Sequence, residues 1–219
     1  MTLLPTPISS ESIATCVGHL KAGSLVILPT DTVYGIAADA LNRDAVHALY
    51  RAKGKEFSSP LQLLFSNDAA LIARYASLTV PAAALIEALG PGAWTIITRA
   101  APALDTAALA GGETVGIRIP GIDVVQDVVA GLGRPLAASS ANRHGLASPT
   151  TCLDAAQQVG DSCAIALDSG PTLRGLDSTV IDCSLEDDLK ILREGAIDRQ
   201  TVARILGRSD IPVIRSVRP

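Results

Sequence analysis

Residues 51–60, with the sequence RAKGKEFSSP, concentrate positive charge in a chain whose formal net charge is -4. Arg51, Lys53 and Lys55 place three cations within five residues. Cations spaced in this way can surround a small polyanion, because each one donates charge-assisted hydrogen bonds to its oxygens. A solvated helix end is the alternative, since charged side chains usually keep their heads in water. The segment alone leaves both interpretations open.

Three further polar segments lie at the ends of apolar runs. PTDTVYG follows SLVIL, SSANRHGLASPT follows PLAA, and LDSTV leads into VIDC. Ligands of open α/β sheets bind outside strand ends, where loops can turn polar groups inward. Each segment taken singly is at least as typical of a turn or a capped loop. Arg118 changes the balance, because a charge inside the apolar run VGIRIP is costly unless something pairs with it. The combination predicts a ligand pocket.

Several common catalytic signatures are missing from the sequence. It contains no G-x-x-x-x-G-K-[ST] phosphate loop, no G-x-G-x-x-G fingerprint and no G-x-S-x-G nucleophile elbow. The three histidines, His19, His47 and His144, stand in no triad context. We interpret each histidine as a surface or core residue.

The four cysteines are scattered along the chain, with no C-x-x-C pair and no nearby histidine at metal-ligand spacing. We therefore expect no metal ligated by protein side chains, and we expect reduced, mostly buried thiols, as in a cytosolic protein. These cysteines are Cys16, Cys152, Cys163 and Cys183.

Composition favours one α/β domain. A chain of 219 residues can bury a large core, and 48% hydrophobic against 3% aromatic residues predicts a core of Ala, Leu, Ile and Val. That palette suits strands covered by helices. The acidic balance argues against a protein that grips nucleic acid through its phosphates. The beginning MTLLPTP is not typical of a signal peptide, and no apolar run is long enough for a membrane span.

Apolar periodicity and capping residues predict alternating strands and helices. The predicted strands are SLVILP, LQLLF, WTIIT, TVGIRIP, PLAAS, AIAL, STVIDC and KILR. The predicted helices begin at Ser9 or Ser10, Asn42, Asn67, Pro81, Ile122, Thr151 and Asp198. This alternation predicts an α/β sheet without internal repeats. We expect an N-terminal tail over residues 1–8, one domain over 9–208 and a C-terminal tail over 209–219.

A series of segments resembles one family. LPTDTVYGIAADALN, KGK with SPLQLLF, GPGAWTII, TVGIRIP, SSANRHGLASPT, GLDSTVID and ILREGAI look like the successive signatures of the YrdC-type threonylcarbamoyl-AMP synthases. They occur in the family's order over about residues 10–197. The resemblance implies a single-domain twisted mixed sheet with flanking helices and a concave, positively lined cavity. Larger members carry an extra C-terminal domain, which we do not expect in a chain of this length.

The resemblance also implies a reaction. L-threonine and bicarbonate form a carbamate, which attacks the α-phosphate of ATP and releases pyrophosphate. The product, threonylcarbamoyl-AMP, passes to a separate tRNA threonylcarbamoyl transferase that modifies adenosine in tRNA. The expected cofactor is Mg²⁺ that arrives with ATP. The expected location is the cytoplasm, with weak or no tRNA binding and no membrane association.

Matching positions give the expected site residues. Arg118 would pair with the threonine carboxylate through its planar fork of donors. Lys53 and Lys55 would be the catalytic residues that offset the charge of the phosphates. The residues expected to hold threonine are Thr32, Arg118, Ala138 and Ser178. The residues expected to contact ATP are Lys53, Lys55, Ser59, Thr114, Ser140, Asn142, Ser148 and Arg193.

Two departures from the family pattern fall in the opening segment. The chain has Lys53-Gly54-Lys55 where the family commonly has K-x-R, and Lys lacks the fixed fork of Arg. The family usually has an acidic residue, then Asn or Lys, then Pro in the following segment, and this chain has Ser58-Ser59-Pro60 there. The alternative function is therefore a catalytically weakened paralogue that acts as a nucleotide- or RNA-binding module.

Overall fold

A mixed β-sheet runs through the computed structural model, which describes residues 3–54, 59–104, 107–172, 177–208 and 211–214. The strands of this described part are β1 (Pro5–Pro7), β2 (Leu25–Leu28), β3 (Gly35–Asp39), β4 (Gln62–Leu64), β5 (Ala76–Ser77), β6 (Trp94–Ala100), β7 (Thr114–Arg118), β8 (Leu136–Ser140), β9 (Cys163–Asp168), β10 (Thr179–Asp182) and β11 (Lys190–Arg193). The helices are α1 (Ser10–Lys21), α2 (Arg43–Lys53), α3 (Ala69–Tyr75), α4 (Val80–Leu89), α5 (Asp123–Leu132), α6 (Cys152–Val159) and α7 (Arg199–Leu206).

The strand order explains how distant segments meet. It runs β1-β9-β2-β3-β8-β4-β7-β6-β10-β11, and β5 pairs with β6. The sheet is mixed: β4 with β7 and β6 with β10 are parallel pairs, whereas β3 with β8 and β6 with β7 are antiparallel pairs. The predicted α/β fold with a mixed sheet and flanking helices is confirmed.

Helix starts follow the capping residues. The Ser9 side chain accepts from the backbone N–H of Ser12 in a capping box, and the Asn42 side chain accepts from that of Ala45. The third helix differs by one residue from the prediction, because Asp68 rather than Asn67 is its N-cap. Gly54 caps the C-terminus of helix α2, and its φ of 62° is a left-handed conformation that glycine adopts without strain.

The core fills both faces of the sheet. Helices α1 and α5 bury Cys16, Leu20, Val125 and Val128 on one face, where they pack with strand residues of the same cluster. Helices α2, α4 and α6 contribute to a larger cluster that includes Trp94. Burial raises the pKa of the Cys16 thiol to about 12, which keeps it protonated at neutral pH. Such layering on two faces matches the aliphatic composition.

Two segments predicted as tails contain ordered structure. Strand β1 lies within residues 1–8 and pairs in parallel with β9, with Pro5 opposite Ala166. Proline is tolerated there because an edge strand leaves one row of backbone groups unpaired. Near the other end Ile211 is fully buried, and Val213 bridges to Ile191 of β11. No helix of the described part has the length and apolar character needed to cross a membrane.

Candidate functional site

A cavity of about 260 Å³ lies against the sheet, where the strands β4, β6, β7, β8, β10 and β11 and the loop after β2 converge. Pockets of this kind combine apolar walls with a few placed polar groups. Seven residues predicted from the sequence line it, although they are spread over most of the chain. They are Thr32, Thr114, Arg118, Ala138, Ser140, Ser178 and Arg193.

Arg118 provides a buried cation at the cavity wall. It ends strand β7 and is 3% exposed. Its Nη2 donates to Asp31 Oδ1 at 2.7 Å and to Thr32 Oγ1 at 2.9 Å. Its Nε is buried and has no hydrogen-bond partner within the described residues. A guanidinium carries five N–H donors, so Arg118 retains donor capacity for an anionic ligand.

The turn before β3 fixes Thr32 beside this arginine. Thr30 Oγ1 accepts from the backbone N–H groups of Thr32 at 3.2 Å and Val33 at 3.3 Å, and it donates to Val33 O. A hydroxyl that bonds its own backbone in this way is typical of a turn. Asp31 was not predicted as a site residue, because an acidic residue in PTDTVYG is equally typical of a turn.

The same turn is tied to the loop after β8. Tyr34 N–H donates to Pro149 O at 2.9 Å, and Tyr34 O accepts from Ala141 N–H at 2.8 Å. The Tyr34 hydroxyl donates to Gly170 O at 2.7 Å, and burial raises its pKa to about 12. The segments PTDTVYG and SSANRHGLASPT, predicted to line one pocket, are therefore neighbours.

A row of polar side chains crosses the cavity wall from β4 to β11. Thr95 Oγ1 donates to Gln62 Oε1 at 3.1 Å and lies 3.0 Å from Ser178 Oγ. Arg193 Nη2 donates to Ser178 Oγ at 3.0 Å, and Arg193 Nη1 lies 3.5 Å from Asp177 Oδ2. All five line the cavity. Gln62, Thr95 and Asp177 were missed by sequence reasoning, although a polar residue inside an apolar run drew attention to Arg118.

Lys53 is not one of the described residues that line the cavity, but it lies next to them. It is 5% exposed, and its Nζ donates to Ser140 O, to Asn142 O at 2.8 Å and to Asn142 Oδ1 at 3.3 Å. Asn142 Nδ2 in turn donates to Leu146 O at 2.7 Å. Lys53 and Asn142 thus hold the loop that carries Ser140, which does line the cavity.

The remaining predicted ATP contacts lie further out or outside the described residues. Ser59 and Ser148 are half-buried and do not belong to the described cavity lining. The Ser59 carbonyl accepts from the Tyr50 hydroxyl. Lys55 lies outside the described residues, so its predicted contact with phosphate stays a prediction.

The arrangement suits an anionic or zwitterionic ligand. Two arginines line a cavity that also presents several hydroxyl groups. Within the described residues there is no group of three or more His, Cys, Asp or Glu side chains placed to hold a metal. Arginines and hydroxyl groups at such a wall can position a substrate and stabilise negative charge.

Comparison with known sequences gives one consistent family. Residues 19–195 match the Sua5/YciO/YrdC family model, whose description is "Telomere recombination". A protein of Mycobacterium tuberculosis is 36% identical over 198 residues, which cover 90% of this chain and 90% of the relative. The threonylcarbamoyl-AMP synthase of Bacillus subtilis is 36% identical over 205 residues, covering 91% of this chain and 58% of the relative.

Solved structures agree with the fold. Pyrococcus abyssi Sua5 complexed with L-threonine superposes with a TM-score of 0.90 at 27% identity, covering 98% of this chain and 63% of that chain. Escherichia coli YciO gives a TM-score of 0.80 at 19% identity, covering 91% of this chain and all of that one (100%). The second likeness concerns the fold alone.

Proposed function

The chain belongs to the Sua5/YciO/YrdC family, and we propose that it is a threonylcarbamoyl-AMP synthase, a nucleotidyltransferase that uses ATP, L-threonine and bicarbonate. Three relatives with this name, from Bacillus subtilis, Pyrococcus abyssi and Bos taurus, are 36%, 30% and 33% identical to the chain. The observation that carries the proposal is a buried Arg118 beside Thr32, with an unpartnered Nε, at the wall of a cavity in a fold shared with Pyrococcus abyssi Sua5 complexed with L-threonine.

In this proposal Arg118 and Thr32 hold the carboxylate of L-threonine. The partly used guanidinium supports that role, because a carboxylate would supply the acceptor that Nε lacks. Ser178 and the backbone at Ala138 would complete the threonine site, since both line the same cavity. A buried guanidinium is stabilised when a ligand pairs with it, which favours the anionic end of the substrate at this position.

The reaction proceeds in two steps. The neutral amine of threonine bonds to the carbon of bicarbonate with loss of water, which gives a carbamate. A carbamate oxygen then bonds to the α-phosphorus of ATP, and the bond to the bridging oxygen breaks with release of pyrophosphate. No protein nucleophile is needed. The protein would contribute in-line positioning and cations that stabilise the leaving group.

Thr114, Ser140 and Arg193 are the cavity-lining residues that we assign to ATP. Lys53, Asn142, Ser59 and Ser148 would act from outside the wall, and Lys55 is proposed from the sequence alone. Mg²⁺ would be held mainly by the phosphate oxygens, as is usual for nucleotide sites, and it would offset their charge. Among the described residues that line the cavity, Asp177 is the one with a carboxylate side chain.

The proposed partners and location follow from the product. Threonylcarbamoyl-AMP would be consumed by a tRNA threonylcarbamoyl transferase in the cytoplasm. The net charge of -4 supports weak or no direct tRNA binding by this chain. The proposed domain extends over residues 9–208, and β1 joins its sheet from outside that range.

Pyrophosphate release with each substrate omitted in turn tests the function. We expect release to require ATP, L-threonine and bicarbonate together. Equal release from ATP alone would indicate an ordinary ATPase. Binding of ATP and threonine without release under any condition would instead indicate the weakened paralogue that the Lys55 and Ser59 replacements suggested.

A further inference from the structure

A chain of hydrogen bonds fixes the direction in which Ser178 uses its hydroxyl proton. A hydroxyl has one proton to donate and two lone pairs to accept with. Thr95 Oγ1 donates its hydrogen bond to Gln62 Oε1 at 3.1 Å. The 3.0 Å contact between Thr95 Oγ1 and Ser178 Oγ must then use the Ser178 proton. Ser178 therefore donates to Thr95.

The other neighbour of Ser178 is also a donor. Arg193 Nη2 donates to Ser178 Oγ at 3.0 Å, and Arg193 Nε donates to Ser178 O at 2.9 Å. One lone pair of Ser178 Oγ is thereby used, and its proton is directed to Thr95. The second lone pair of Ser178 Oγ remains available to a ligand in the cavity. Ser178 can therefore accept a hydrogen bond from a ligand, and the ligand must supply the donor.

Burial makes this preference strict. Thr95 is 5% exposed and Ser178 is 2% exposed, so water has little access to either hydroxyl. Thr95 Cγ2 also packs closely over Gly116, where an added Cβ would lie 3.1 Å from it. A hydroxyl that is held by protein partners cannot easily exchange them, and a buried polar group without a partner is costly.

The residues two positions further along both segments are aliphatic. Ile97 follows Thr95 on β6, Val180 follows Ser178 on β10, and all four line the cavity. Successive residues two apart in a strand share one face. The parallel pairing of Thr95 with Val180 places the hydroxyl pair beside the aliphatic pair. This surface matches a side chain that carries a hydroxyl and a methyl group on one carbon.

We propose that Thr95 is a positioning residue that holds Ser178 as an acceptor for the side-chain hydroxyl of the amino-acid substrate, so that the pair selects L-threonine over amino acids without a hydroxyl. The inference rests on the proposed function, and it assigns a role to Thr95 and to its acceptor Gln62. A substrate without the hydroxyl would leave the remaining lone pair of Ser178 without a partner.

The test compares L-threonine with L-2-aminobutyrate, which has the same carbon skeleton and no hydroxyl. Thr95→Val keeps the shape and removes the acceptor for the Ser178 proton, so Ser178 can turn its proton into the cavity. We expect the ratio of kcat/KM for the two amino acids to fall about tenfold, mainly through a higher KM for L-threonine, as for loss of one neutral hydrogen bond. Thr95→Ser keeps the hydroxyl and should restore the ratio.

Thr98→Val is the matched control. Thr98 lies on the same strand, is fully buried and donates to Ser77 O at 2.7 Å, but it does not belong to the described cavity lining. This variant can lose stability without a change in selectivity. An unchanged ratio in Thr95→Val, or an equal fall in Thr98→Val, would overturn the proposal.

Calorimetric affinities for the two amino acids separate this inference from the proposed function. If the wild type releases no pyrophosphate, the proposed function fails. The ratio of the affinities for L-threonine and L-2-aminobutyrate still decides the role of Thr95. A lower ratio in Thr95→Val, restored in Thr95→Ser, supports the role. An unchanged ratio, or no affinity of the wild type for L-threonine, contradicts it.

Discussion

At the scale of single residues, the site depends on a guanidinium that is only partly paired. Arg118 and Asp31 form an ion pair at 2.7 Å with side-chain exposures of 3% and 15%. This contact uses Nη2 and leaves Nε without a partner among the described residues. Asp31 stabilises the buried charge in the absence of a ligand, and the unused donor keeps the arginine able to bind a second carboxylate.

Arg118→Ala should therefore remove threonine binding. Truncating one partner of a buried charge pair costs about 2–5 kcal/mol, so we expect L-threonine affinity to fall roughly 30-fold or more. ATP affinity should stay close to the wild-type value. Isothermal calorimetry with each ligand measures both effects.

Arg134→Ala is the matched control for this experiment. Arg134 Nη1 also pairs with a buried carboxylate, Asp39 Oδ2, at 3.0 Å, but it does not belong to the described cavity lining. Its loss should lower stability and leave threonine affinity unchanged. Wild-type threonine affinity in Arg118→Ala would exclude Arg118 from the site.

At the scale of elements, the end of helix α2 is fastened to the loop after β8. Lys53 is the last residue of α2, its Nζ donates to oxygens of Ser140 and Asn142, and its carbonyl accepts from His144 N–H at 2.8 Å. A buried ammonium surrounded by oxygens is a stable arrangement, because each donated hydrogen bond offsets the loss of water. Lys53 thereby fixes the backbone at Ser140 next to the cavity.

Lys53→Met tests whether this lysine acts through the loop. The variant keeps an unbranched apolar side chain and removes the donor, which leaves buried oxygens without their partner. We expect the free energy of unfolding to fall by about 1–3 kcal/mol, together with a lower kcat. Urea denaturation gives the stability, and steady-state kinetics gives the activity.

Lys21→Met, at an exposed position near the end of α1, controls for the loss of a lysine. It should change neither quantity, since surface substitutions stay within about 0.5 kcal/mol. Unchanged stability in Lys53→Met with a loss of ATP affinity would show instead that Lys53 contacts phosphate directly.

The elements also show why sequence reasoning worked in some places and failed in others. The helices that Ser9 and Asn42 cap were predicted because an N-capping residue can be recognised from the local sequence. Strand β3 was missed because four of the five residues of GIAAD are Gly, Ala or Asp, which are depleted in strands. The contacts of Thr95 with Ser178 and with Gln62 could not be predicted either, since strand order alone brings these residues together.

At the scale of the whole molecule, the cavity exists only in the assembled sheet. Its described lining runs from Thr32 to Arg193 and draws on six strands and on the segments after β2, before β4 and before β10. The net charge of -4 is therefore compatible with an anion site, because folding places Arg118 and Arg193 on the same wall. Charge at a site depends on the three-dimensional arrangement and not on the average of the chain.

The most direct test of the account is the identity of the product. The whole chain should be incubated with ATP, Mg²⁺, L-threonine and ¹³C-labelled bicarbonate. The nucleotides should then be separated and identified by mass spectrometry. The account predicts threonylcarbamoyl-AMP that carries one labelled carbon from bicarbonate, formed in step with pyrophosphate. A control without threonine should give no such species. ADP, or AMP without an attached threonylcarbamoyl group, as the threonine-dependent product would contradict the account.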